Sequence, residues 1–176
     1  MIKNILIILA LNILILFPLT ILKINNTNIN NSINRFKIIN NHNNDKIGYI
    51  KIKSLNINEP LYKIDSEENN VDKHITILKE SIFPDKDNSI IFIAAHSGEG
   101  KIAYFNELNK LKIDDEVIIK INNKKYTYLV KEMWEEKKNG FINVNKEPDN
   151  QLILTTCSPI HNNYQLIVNC IEKESN

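Results

Sequence analysis

The chain has 176 residues, with 22 basic and 21 acidic side chains and a formal net charge of +1. That is room for one domain and a short appendage, and the interspersed charges, with no basic stripe, argue against a nucleic-acid partner. Two cysteines, Cys157 and Cys170, are too few for a disulfide scaffold; with no Cys-x-x-Cys pair and no His-x-x-x-His spacing, no metal or cofactor is expected.

Residues 5–22 are almost wholly apolar. At about 1.5 Å per residue they reach roughly 27 Å, enough to cross a bilayer core. No small-x-small cleavage site follows, so an uncleaved anchor (residues 1–24) is favoured over a signal peptide. The sparse flanking charges leave its orientation open. Residues 25–45 form an asparagine-rich linker with one short helix around Ile33 to Ile39. Arg35, the only arginine in the chain, and His42 fall here and read as solvated.

From residue 46 the texture is that of a folded domain extending to 176. Residues 47–53 alternate as a half-buried strand. Residues 57–64, interrupted by Pro60, suit an edge strand. Ser66, followed by Glu67 and Glu68, reads as the N-cap of a short helix ending near His74. Residues 89–95 form a continuous apolar run, the mark of a strand buried on both faces. His96 sits at its end, before the permissive Gly98 and Gly100. Apolar positions 105, 108 and 111 predict a short amphipathic helix over 103–111. Residues 117–121 and 125–130 flank Asn122-Asn123 as a hairpin, the second strand reaching towards Trp134. A polar loop spans 135–150.

Residues 152–156 then deliver Cys157 to a strand end, a Ser158-Pro159 turn follows, and residues 165–168 return. This is a hairpin with a thiol at its mouth. A cysteine beside a polar loop is better placed to meet a substrate than one inside a strand. Seven or eight strands joined mostly by short turns, without βαβ alternation, argue for an antiparallel barrel or sandwich.

Five segments occur in order: Ile47-Gly-Tyr-Ile-Lys-Ile, Ile91-Phe-Ile-Ala-Ala-His96-Ser-Gly, Tyr104-Phe-x-x-Leu-x-x-Leu111, Asp114-Asp-Glu-Val117 and Leu154-Thr-Thr-Cys157. Together, over residues 46–171, they resemble the sortases, membrane-anchored cysteine transpeptidases of Gram-positive bacteria. The resemblance implies an all-β, eight-stranded barrel with short helices, held outside the cell by a single-pass membrane anchor as in classes B to D. It implies Cys157 as nucleophile after the seventh strand and His96 as its partner after the fourth. Ala95, Ser97, Thr155, Thr156 and His161 are then expected substrate contacts, and the 135–150 loop a specificity element. The implied partners are a surface protein bearing a C-terminal Leu-Pro-x-Thr-Gly-like signal and an amine acceptor, such as a peptidoglycan precursor or a pilin lysine.

Two departures from the family pattern stand out. Ile153 replaces a threonine before the cysteine, a substitution between β-branched residues. Gln165 stands where the family has an arginine that stabilises the oxyanion. Gln165 itself, or Tyr164 or His161, could take over that work; otherwise the chain is a weak sortase or a sortase-like binding module. A thiol hydrolase that passes the acyl group to water is a third reading.

If Gln165 faces Cys157 across the hairpin, Cys170 pairs near Leu152 and points to the other face. The two thiols are then well over 10 Å apart. Cys157 is expected to be a free nucleophile and Cys170 a structural residue.

Overall fold

The computed structural model describes residues 29–31, 45–85 and 88–173. The expected anchor, most of the linker with Arg35 and His42, and the last three residues lie outside these. The chain divides into two units, Met1–Asn44 and Asp45–Asn176. In the first, residues 29–31 are helical. Among the described residues no helix is long and apolar enough to cross a membrane.

The second unit is one eight-stranded sheet. Its strands are β1 (Lys46–Ile52), β2 (Ile57–Tyr62), β3 (Thr76–Ile77), β4 (Ile90–Ala94), β5 (Glu116–Ile121), β6 (Lys124–Lys137), β7 (Gln151–Cys157) and β8 (Tyr164–Glu172). The order across the sheet is β2-β1-β5-β6-β8-β7-β4-β3. The outer strands β2 and β3 approach each other, so the sheet curls into a nearly closed barrel. Pro60 lies in β2, at an end of the sheet order, where a missing N–H costs no ladder bond.

Alternation places one face of each strand inside. Ile50, Ile52, Ile91, Ile93, Val117, Ile119, Leu152, Leu154 and Val168 fill the interior. Asparagine supplies most turns that need a left-handed backbone. Asn122 and Asn123 have φ of 50° and 67°, the two-residue hairpin geometry that fits the strand twist, and they join β5 to β6 in the expected register.

Four sequence expectations are corrected. Residues 66–74 form turns, not a helix. Ser66 Oγ does accept the Glu68 N–H at 3.2 Å as a cap would. The Asn69 side chain then takes the Ile77 N–H at 2.8 Å and donates to the Ile77 carbonyl at 2.9 Å. Such local amide bonds compete with helix formation, and here they tie the segment to β3.

Residues 103–111 contract to turns and a 3-10 segment, Leu108–Lys110. Apolar residues spaced by three eclipse in a 3-10 turn, and Phe105, Leu108 and Leu111 are all buried by it. The strand expected to fade near Trp134 runs to Lys137, because Glu135, Glu136 and Lys137 pair with Leu166, Gln165 and Tyr164. Finally, the barrel is not wholly antiparallel, since β4 and β7 run parallel.

Tyr128 is fully buried, and its hydroxyl has no hydrogen-bond partner among the described residues. Burial pushes its ionisation well above the ordinary range. An unsatisfied buried hydroxyl costs about 1–3 kcal/mol. Tyr128→Phe is therefore expected to raise the urea midpoint slightly; a loss of more than about 1 kcal/mol would reveal a hidden partner.

Candidate active site

The parallel pairing of β4 with β7 determines what the site contains. Ala94 lies opposite Thr155, and the ladder continues through the Ala95 N–H to the Thr155 carbonyl at 3.3 Å. Just beyond these bonds His96 follows Ala95, and β7 ends at Cys157. Two hydroxyls hold the strand ends together: Thr156 donates to the Ala95 carbonyl at 2.7 Å, and Ser97 to the Cys157 carbonyl at 2.9 Å. The Phe105 N–H binds the His96 carbonyl at 3.0 Å from the other side.

Parity gives the direction of the side chains. Ile91, Ile93 and Ala95 belong to the core, as do Leu152 and Leu154. His96 and Cys157 have the opposite parity, that of the outer-facing residues along each strand. Neighbouring strands are about 4.8 Å apart. Cys157 is exposed and free, whereas Cys170 is buried and free. Burial pushes the Cys170 thiol far above its ordinary value, which makes it inert. Cys157 pairs with Gln165 and Leu152 with Cys170, the register expected from the sequence.

Three contacts were not foreseen. His96 Nε2 lies 3.0 Å from Asp72 Oδ1 in the 66–74 turn segment. A carboxylate only accepts, so Nε2 donates to it. Lys138 Nζ lies 2.8 Å from Cys157 Sγ. Its backbone N–H donates to the Asn163 carbonyl at 2.8 Å, which extends the β6–β8 ladder and anchors the lysine.

The Gln165 amide is committed elsewhere. It donates to Glu136 Oε1 at 3.0 Å and to the Phe141 carbonyl at 2.8 Å. Glu136 also accepts from the Asn143 backbone and side chain. Gln165 thus fastens the loop between β6 and β7 to the barrel wall. The far end of that loop is held by Gln151, which donates to the Asn145 carbonyl and accepts from the Glu147 N–H.

His161 and Tyr164, the other groups considered near the thiol, lie in and just after the β7–β8 turn, their rings 5.5 Å apart. His161 Nδ1 meets Glu135 Oε2 at 2.6 Å, and Ser158 donates to Glu135 Oε1 at 2.6 Å. These two bonds, the histidine's first, hold the Glu135 carboxyl below its ordinary value. His161 is therefore occupied in stiffening the turn that follows Cys157.

The outer face also carries a cleft of about 340 Å³ lined by Leu78, Glu80, Phe92, Gly140, Phe141 and Ile142. Phe92 shares its face with His96, four residues or about 13 Å along β4. An extended peptide of four residues would span that distance.

A thiol and an imidazole at the ends of two neighbouring strands suit acyl transfer through a thioester. The sortase domain model matches residues 50–172, well over half of the chain, and the chain belongs to the sortase family. The general activity that comes with this membership is cysteine transpeptidation.

Among solved structures, sortase C1 from Streptococcus agalactiae is 29% identical, with a TM-score of 0.65 over 75% of this chain and 69% of that one. Sortase C1 from Streptococcus suis is 25% identical, with a TM-score of 0.65 over 75% of each chain. A lid mutant of Corynebacterium diphtheriae sortase A shares the fold at 21% identity and a TM-score of 0.64, over 74% of this chain and 71% of that one. No curated protein sequence matches the chain.

Proposed function

We propose that the protein cleaves a C-terminal sorting signal through a thioester on Cys157 and passes the acyl group to an amine at the outer face of the cell membrane. The observation that supports this most is the parallel pairing of β4 with β7, which brings the strand end that leads into His96 beside the one that carries the exposed Cys157.

In this reading the Cys157 thiol gives its proton to His96, and the thiolate attacks the peptide carbonyl. The new C–S bond pushes the carbonyl electrons onto oxygen. Collapse expels the leaving amine, which takes its proton from His96 as general acid. An acceptor amine then attacks the thioester, loses a proton to His96 and releases the thiolate. Asp72 orients the imidazole by holding Nε2–H.

Ala95, Ser97, Thr155 and Thr156 form the strand-end framework beside the bond that breaks, and His161 stays in the turn. The signal lies along the outer face, its leading apolar residue in the cleft between Phe92 and Phe141. A Leu-Pro-x-Thr-Gly-like motif suits that apolar cleft. Residues 5–22 would hold the domain at the membrane, and the acceptor would be a wall-precursor amine or a pilin lysine.

A second reading, a binding module with little turnover, draws support from the engagement of the Gln165 amide with Glu136 and Phe141. To separate the two, the full-length chain in mild detergent is incubated with a panel of sorting peptides and an amine, and followed by mass spectrometry. A thioester on Cys157 and a ligated product are expected. Binding without any thioester would favour the module; hydrolysis without ligation would point to transfer to water.

A further inference from the structure

We propose that Lys138 is the cationic group of this site: it holds the Cys157 thiolate and then the oxyanion formed on attack, the work that an arginine at position 165 would otherwise do. The inference rests on the transpeptidase reading for its second half only; the thiolate contact stands on geometry.

Three observations converge. Lys138 Nζ donates a hydrogen bond to Cys157 Sγ at 2.8 Å, and a bond from a charged donor is stronger than one from a neutral donor. The lysine is not a loosely tethered surface residue, since its N–H is bonded to the Asn163 carbonyl beside the start of β8. The uncharged residue opposite the thiol, Gln165, has both amide hydrogens occupied, and the only arginine in the chain is Arg35.

A cation beside sulfur favours the thiolate, the reactive form. The ammonium group carries three hydrogens. One faces Sγ, and two remain for the oxygen that gains charge, which sits one bond from the carbon that sulfur attacks. Lys138 neither gains nor loses a proton in the cycle, so the balance through His96 is unchanged. The cation thus comes from the end of β6 and the start of the specificity loop, rather than from β8.

The test compares wild type, Lys138→Met and Lys138→Arg as full-length proteins. The first readout is the rate of Cys157 alkylation by iodoacetamide, followed on the Cys157 peptide by mass spectrometry, with buried Cys170 as internal control. The second is thioester formation with a sorting peptide. Lys138→Met is expected to slow alkylation at least about tenfold, and thioester formation by on the order of a hundredfold, the usual loss for one oxyanion donor. The loss should fall on kcat rather than KM. Lys138→Arg should restore both rates to within about threefold.

Unchanged rates in Lys138→Met would overturn the proposal. So would a loss that arginine does not restore, since that would indicate packing rather than charge. If wild type forms no thioester with any peptide, the transpeptidase reading fails, while the alkylation comparison still decides the thiolate contact.

Discussion

Cys157→Ala is expected to abolish both thioester and ligated product, a loss of at least about 10⁴-fold, while leaving the melting temperature within a degree or two of wild type. The two halves of this expectation have separate causes. Without a nucleophile no covalent intermediate forms, and the neighbouring hydroxyl is no replacement: Ser97 donates it to the Cys157 carbonyl and belongs to the framework. The side chain is exposed, so its removal opens no cavity. Cys170→Ala should behave in the opposite way, losing core packing but still forming the adduct. Intact-mass spectrometry after peptide incubation, beside a thermal melt, checks both. An adduct on Cys157→Ala would place the nucleophile elsewhere.

Gly48→Ala is expected to be the most damaging small substitution in the barrel. A Cβ at this position would lie 1.6 Å from the Lys120 carbonyl oxygen and 2.7 Å from its carbon. Both are backbone atoms of β5, so no side chain can swing away. Gly48 also follows the irregularity at which β1 shifts register against β2, with Leu61 opposite on one side and Ile121 on the other. Accommodating a methyl means prising β1 from β5. A cost on the order of 3 kcal/mol or more follows, out of a total that for such domains is about 5–15 kcal/mol. Urea unfolding measures it; a cost below about 0.5 kcal/mol would mean that β1 can slide without penalty.

The sequence revealed most where local chemistry was decisive. The final hairpin was legible because a turn signal separates two apolar runs and parity fixes which residues share a face. From that alone Cys157 could be set opposite Gln165 and Cys170 opposite Leu152, as the register has them. The Asn122-Asn123 turn was legible for the same reason.

The helices over 66–74 and 103–111 were misread because side-chain amides and a spacing of three override propensity. The direction of β4 relative to β7 leaves no trace in hydrophobic pattern, which is the same for either orientation. Lys138 was illegible because nothing in the sequence distinguishes it from its neighbour Lys137. Only the pairing of β6 with β8 carries it to the sulfur. Asp72 was hidden in the same way, inside a segment read as a helix.

The parallel seam between β4 and β7 also bears on how the molecule reaches its native state. β7 has two neighbours of very different kinds. β8 follows it after a six-residue turn, Ser158 to Asn163, so that pairing closes locally. β4 lies some sixty residues back along the chain, with the β5–β6 hairpin threaded between, and closing a loop of that length costs more entropy. The terminal hairpin can zip by itself, whereas the seam closes only once the barrel wall is laid down. Since the thiol rides on the hairpin and its histidine on β4, the chemistry of the site arises with the slowest class of contact in the fold, and an incompletely folded chain carries a cysteine without its imidazole.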